Sequence, residues 1–214
     1  MLNLQTKRGC PFSCIYCTYP LLEGKKVRLR EVDEVIEEIR HLIQEQGTDY
    51  IYFVDDIFNY PSSFAEKLCR RIAEEKLKVK WSAFVNPGFL SENLLKWMKE
   101  AGCVGVEFGT DSGSDRMLKN YMKSFTKEEV IQASYLCLKL NVNHCHYILF
   151  GGPGEDEKTI EESFQLMDQL NPTAVIAMLG IRIYPGTALE QISLSQGVIE
   201  KDTNLMYPFL YISP

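Results

Sequence analysis

No run of this sequence reaches the roughly 18 consecutive apolar residues that a membrane-spanning helix needs. A secretory leader is not expected either. Met1-Leu2-Asn3-Leu4-Gln5-Thr6 is too short an apolar start, and Lys7 and Arg8 follow at once. The expectation is a cytoplasmic protein with no membrane span. Positive charge is in deficit: the 214-residue chain carries a formal net charge of −6. General affinity for nucleic acid or anionic membrane is therefore not expected, since either would need a local basic patch. No GxGxxG follows the first apolar segment, which weighs against a dinucleotide-binding Rossmann fold. There is no internal repeat, linker or low-complexity tract. With 45% hydrophobic and 24% charged residues, the rest is an ordinary globular composition, suited to one domain.

The seven cysteines are an odd number, and three of them crowd into Cys10–Cys17. A disulfide framework would instead spread pairs along a small secreted chain. Cys69, Cys103, Cys137 and Cys145 are isolated and read as buried core cysteines. Cys10-Pro11-Phe12-Ser13-Cys14-Ile15-Tyr16-Cys17 has the spacing CxxxCxxC. Thiolates on one short loop select zinc, copper(I) or an iron–sulfur cluster. Structural zinc usually takes four protein ligands, often as two CxxC-type pairs, and no second pair exists here. Zinc completed by a distant His or Cys is the alternative. Three ligands for a four-iron cluster leave one iron open to a substrate or cofactor, whereas electron-transfer clusters are closed by four cysteines. The spacing favours a catalytic cluster.

Strands and helices alternate along the chain. Apolar spacing predicts helices over Val32–Glu45, from Pro61 through Ala73, from Ser91 to Gly102, over Lys127–Leu140 and over Glu157–Leu170. Strands are expected at Leu2–Thr6, Tyr50–Val54, Lys80–Phe84, Val104–Phe108, His144–Phe150 and Val175–Ile183. Such alternation implies parallel βαβ units, hence an open doubly wound sheet or a barrel. Polar or glycine-rich clusters follow nearly every strand, at the edge that carries the ligand site in both architectures. The pattern decays beyond Glu190. Residues 1–190 are read as the core domain, and 191–214 as a C-terminal extension or the start of a truncated segment.

The cysteine loop, with Tyr16 just before its third cysteine and the βα series around it, resembles the radical S-adenosylmethionine (SAM) superfamily. The segment Gln5–Cys17 looks most like the cobalamin-binding and methylthiotransferase-like branch. Phe53-Val54-Asp55-Asp56, Glu107-Phe108-Gly109 and Tyr184-Pro185-Gly186-Thr187 strengthen that likeness. The resemblance implies an α/β fold, a partial (β/α)6 barrel of parallel strands with outer helices. It implies a 4Fe-4S cluster on Cys10, Cys14 and Cys17. It also implies that SAM chelates the open iron and is reductively cleaved to methionine and a 5′-deoxyadenosyl radical, the protein orienting both cofactors. An electron donor such as flavodoxin or ferredoxin is implied as partner. Methyl or methylthio transfer is the narrower alternative, and a non-catalytic iron–sulfur module is the other. Cobalamin would need a domain that these residues do not contain.

Further positions carry over from the resemblance. Tyr16 belongs to the cofactor-binding set. Asp55 and Asp56 fall where related enzymes meet the SAM amino group, although the usual Gly-Gly-Glu is absent; capping a turn is the other reading. Glu107, Thr110, Asp111 and Ser112 fall where polar groups meet the ribose and the SAM carboxylate, and a carboxylate in VGVEF needs a partner or a cavity. Gly151 and Gly152 allow either close approach of adenine or a tight turn. Arg182 and Tyr184 end the sixth strand, facing the lumen or solvent. His144 and His146 share one strand face and Cys145 the other, so either set can reach the interior. Lys25, Lys26, Arg28 and Arg30 read as a solvated basic face.

Overall fold

The computed structural model describes residues Met1–Pro214. Strand β1 (Leu2–Leu4) leads into the short β2 (Lys7–Arg8), the cysteine loop, the one-turn helix α1 (Tyr19–Leu22) and β3 (Arg28–Leu29). Regular alternation then begins with α2 (Val32–Gln44), β4 (Tyr50–Phe53), α3 (Ser62–Glu74), β5 (Lys80–Val85), α4 (Glu92–Glu100) and β6 (Cys103–Asp111). It continues through α5 (Asp115–Asn120), α6 (Lys127–Leu140), β7 (Asn143–Phe150), α7 (Glu157–Leu170) and β8 (Ala174–Leu179). The chain closes with β9 (Ile181–Arg182), α8 (Ala188–Ser195) and β10 (Leu210–Tyr211).

Six strands form one sheet in the order β1-β4-β5-β6-β7-β8, and every neighbouring pair is parallel. The end strands β1 and β8 do not pair with each other, so the barrel is partial, as expected for (β/α)6. Helices cover the outer face because their apolar stripes need a partner. Val35, Ile36 and Ile39 of α2 and Leu68, Cys69 and Ile72 of α3 are buried against Ile51, Phe53 and Trp81 of the sheet. The Trp81 indole N–H donates to the Ala101 carbonyl at 2.7 Å, which lets the ring be wholly buried. Capping boxes at Thr126 and Asp156 satisfy the first N–H groups of α6 and α7.

Two sequence expectations need correction. The strand expected over Leu2–Thr6 stops at Leu4. The Thr6 N–H leaves the ladder for the Asp55 carboxylate at 2.7 Å, and β2 pairs antiparallel with β3 instead. The strand Val175–Ile183 is divided. Gly180 adopts φ +80°, and β9 turns away to pair antiparallel with β10. The stretch beyond residue 190 packs inward: Ile199, Leu205 and Tyr211 share a buried cluster with Ile15, Met117 and Leu149. No helix is long and apolar enough to cross a membrane.

Candidate active site at the carboxyl ends of the strands

The cysteine loop is held from several sides. Gly9 enters it at φ +96°, where a Cβ would lie 2.4 Å from the Lys26 carbonyl oxygen. The Cys10 N–H donates to the Gly24 carbonyl at 3.1 Å. Ile15 is buried; its N–H donates to the Tyr121 carbonyl at 3.2 Å, and its carbonyl accepts from the Leu189 N–H at 2.8 Å. So anchored, Cys10, Cys14 and Cys17 all line one cavity of about 210 Å³, together with Tyr16, Asp56 and Lys123.

No three Cys, His, Asp or Glu side chains are grouped so as to hold a single metal ion. A zinc site gathers its thiolates around one atom at about 2.3 Å. A polynuclear cluster ligates each thiolate at a different iron, and three thiols spread around one cavity suit that. Burial pushes all three thiols up, Cys10 to about 11, with Lys123 opposing the rise at Cys14 and, more weakly, at Cys17. Loading with metal therefore displaces thiol protons.

The adjacent acids Asp55 and Asp56 have opposite fates, as alternation along a chain leaving a strand dictates. Asp55 is buried behind the cavity. It accepts from the Thr6 N–H at 2.7 Å, the Thr6 hydroxyl at 2.5 Å and the Lys7 N–H at 3.2 Å, and it pairs with the Lys7 ammonium at 3.2 Å. Asp56 lines the cavity, and neither of its buried carboxyl oxygens has a hydrogen-bond partner. Burial, joined by the negative charges of Glu23 and Asp55, pushes its carboxyl up to about 6.

At the end of β6, Asp111 sits at φ +66° beyond a break in the β6–β7 register. Left-handed backbone at a non-glycine residue is uncommon and gathers at functional sites. Its carboxylate accepts from the Tyr16 hydroxyl and from the Lys123 ammonium, the latter at 2.6 Å. Lys123 is almost wholly buried, lies 3.3 Å from the Tyr16 hydroxyl and faces the Phe125 ring at 5.2 Å. Burial alone would lower its pKa; the charge and hydrogen bond of Asp111, joined by Cys14 and Cys17, together outweigh this and the pKa is raised. The sequence reading missed Lys123. Its one signal is a lysine between Tyr121 and Phe125 in the connection after the fourth main strand, which is weak by itself.

The remaining candidates lie around this centre. Glu107 accepts from the Tyr147 hydroxyl at 2.8 Å and stands beside Cys145 in the β6–β7 register. Ser112 is buried behind the site against Ser163 at 3.2 Å. Gly151 turns the chain at φ +91°, and a Cβ on Gly152 would strike the Tyr121 hydroxyl at 2.0 Å; neither lines the cysteine cavity. His144 and His146 lie on the buried outer face. The His146 ring bridges Thr110 at 2.7 Å and Ser134 at 2.9 Å, and burial, aided by His144, pushes it down to about 3. Arg182 and Tyr184 line a second cavity of about 610 Å³, which shares Tyr16, Phe84 and Gly109 with the first. Of the basic stretch, Arg30 pairs with Glu38 across the surface, and the side chains of Lys25 and Arg28 touch only Ser13 and the Lys26 carbonyl.

Three thiols from one loop thus gather at the carboxyl edge of a partial parallel barrel. The family model of the radical SAM superfamily matches residues 4–167, and the chain belongs to that superfamily. It is 31% identical to an uncharacterized methyltransferase of Pyrococcus horikoshii, over 92% of this chain and 42% of that protein. It is 26% identical to a putative methylthiotransferase of Methanocaldococcus jannaschii, over 95% of this chain and 46% of that one. The radical SAM methyltransferase TsrM of Kitasatospora setae, solved with cobalamin and a 4Fe-4S cluster, superposes with a TM-score of 0.85 at 24% identity. That match covers 92% of this chain and 37% of TsrM and shows a shared fold. The chain thus spans less than half the length of each of these relatives.

Proposed function

We propose that the chain is the catalytic core of a radical SAM enzyme, with Cys10, Cys14 and Cys17 holding a 4Fe-4S cluster and SAM bound beside it. The observation that carries this reading is three thiols from one loop lining one cavity at the carboxyl ends of the parallel strands. When bound, the cluster supplies the electron that cleaves SAM to methionine and a 5′-deoxyadenosyl radical. The protein's part is binding and orientation. The unpartnered Asp56 carboxylate complements the SAM ammonium, and Lys123, held by Asp111 and Tyr16, presents a cation to the SAM carboxylate. Glu107, deeper in the lumen, is available to a hydroxyl of the cofactor or substrate. Asp55, Ser112, Gly151 and Gly152 support this arrangement from behind.

Within that chemistry the proposed outcome is methyl or methylthio transfer, supported by the named activities of the relatives. A cobalamin-dependent version would take that cofactor from beyond these 214 residues. The electron would come from a small reductase partner of the flavodoxin or ferredoxin kind, in the reducing cytoplasm. Anaerobic reconstitution with iron and sulfide tests the core proposal. About four irons and four sulfides per chain are expected, with 5′-deoxyadenosine released on addition of SAM and dithionite. Cys14→Ala should lose cluster and product together. Zinc without sulfide, or a loaded cluster that never cleaves SAM, overturns the reading.

A further inference from the structure

The basic stretch after the cysteine loop has a place in the fold that its letters do not disclose. Lys25 and Lys26 lead into β3, Arg28 lies in it and Arg30 follows it, while Arg8 lies in the partner strand β2. Arg8 and Arg28 stand directly opposite each other in the antiparallel register, and both are exposed. Like charges so placed repel and destabilise a strand pair. Of these five cations only Arg30 has an acidic partner, Glu38. Arg8 donates to the Gln5 amide oxygen at 2.8 Å, Arg28 to the Lys26 carbonyl at 3.2 Å and Lys25 to the Ser13 hydroxyl at 3.3 Å, all neutral acceptors. Glu23 is turned away to the Gly9 N–H at 2.9 Å. The arginines of the outer helices, Arg40, Arg70, Arg71 and Arg116, are by contrast each paired with a carboxylate. On a chain of net charge −6, this hairpin keeps a cationic field free for an anionic surface.

The hairpin is also the outer support of the cysteine loop. The Gly24 carbonyl that accepts from the Cys10 N–H has the Arg28 guanidinium beside it, with Nη1 3.8 Å from where a Gly24 Cβ would lie. The groove lined by Arg8, Arg28, Leu29 and Arg30 among others shares no residue with the cysteine cavity. Leu29, exposed between two arginines, adds apolar area of the kind a protein interface buries. A body seated here approaches Cys10 from behind and leaves the cavity open. A substrate of the radical has to enter that cavity; a source of electrons has only to come near it.

We propose that the β2–β3 hairpin is the docking surface for an acidic one-electron carrier protein, with Arg8 and Arg28 at its centre. The carrier gives one electron to the oxidised cluster and is itself oxidised by one electron; no atom is transferred. Charge complementarity makes the encounter fast and sensitive to salt. The proposal rests on the radical SAM reading, which supplies the need for that electron. A nucleic acid matches the same charge, but a nucleotide to be modified would have to reach a cavity into which this groove does not open.

Anaerobic calorimetric titration of the cluster-loaded protein with an acidic flavodoxin and with an acidic ferredoxin tests it. At least one should dock, and raising salt from about 0.05 M to about 0.5 M should weaken the complex about tenfold or more. Arg8→Gln with Arg28→Gln should weaken docking about threefold to thirtyfold, and Arg8→Glu with Arg28→Glu about a hundredfold. Reduction of the cluster by the carrier, followed by absorbance, should fall in step. Both variants should load as much iron as wild type and release 5′-deoxyadenosine with dithionite at the wild-type rate, because so small a reductant needs no docking. Docking of neither carrier, or undiminished docking to the glutamate variant, overturns the proposal. Variants that load less iron also overturn it, by assigning the two arginines to support of the loop. Tighter binding of a transfer RNA than of either carrier, lost with the same substitutions, overturns it in favour of nucleic acid. If the wild-type protein takes up no cluster, or its cluster never cleaves SAM with dithionite, the radical SAM reading itself fails, before any carrier is added.

Discussion

The two edges of the sheet are built on opposite plans. Along β1, β4 and β5 the outer face is sealed by α2, α3 and α4 in a cluster of 28 buried residues, and the buried Lys7–Asp55 pair locks the strand ends. Along β8 nothing is sealed: Ala174–Leu179 is exposed at every position, including Val175, Ile176, Met178 and Leu179. The cysteine loop leaves the sealed side and is held from both, through Gly24 and through Tyr121 and Leu189, and Arg182 follows directly after the open one.

The sharpest way to break this comparison is to attack the lock. Asp55→Ala strands the Lys7 ammonium in the interior and is expected to cost about 3–5 kcal/mol in urea unfolding. A cost below 1 kcal/mol would mean that the sealed edge does not depend on the pair. Next comes a matched pair of truncations. Leu68→Ala, wholly buried on α3, should cost about 2–5 kcal/mol. Met178→Ala, 43% exposed on β8, should change stability by no more than about 0.5 kcal/mol. Similar losses at both positions would erase the contrast.

The smallest effect concerns Asp56. Its folded-state carboxyl is pushed up to about 6, so the folded chain favours the protonated form. That contribution to stability is complete below the unfolded value near 4 and is lost as pH rises through 6. Asp56→Asn should therefore stabilise the unloaded protein at pH 7.5 by about 1 kcal/mol, allowing for solvent screening, and leave it unchanged at pH 4. A variant equally or less stable at pH 7.5 would show that Asp56 has a partner after all.

Much of this was legible in the residues. Helix-period apolar stripes and compact strands gave the alternating frame, because each pattern admits one way of being buried. The CxxxCxxC spacing singled out the cysteine loop because three thiols so close in sequence must be close in space. The roles of neighbours were not legible. Asp55 and Asp56 are indistinguishable as letters, and only the fold decides which meets Lys7 and which meets the cavity. Lys123 becomes prominent through Tyr16, which lies 107 positions away. The strand expected through Ile183 failed at Gly180, where one left-handed residue redirects Arg182 into a different sheet.

Tyr16 sits between Cys14 and Cys17 and forms part of the wall of both cavities. Whatever presses on its ring from the wider side presses on the loop that carries the thiols. Any shift in the setting of that loop would accordingly reshape the wall of the wider chamber, and the reverse. A single phenol ring thus makes the occupancy of each chamber sensible to the other.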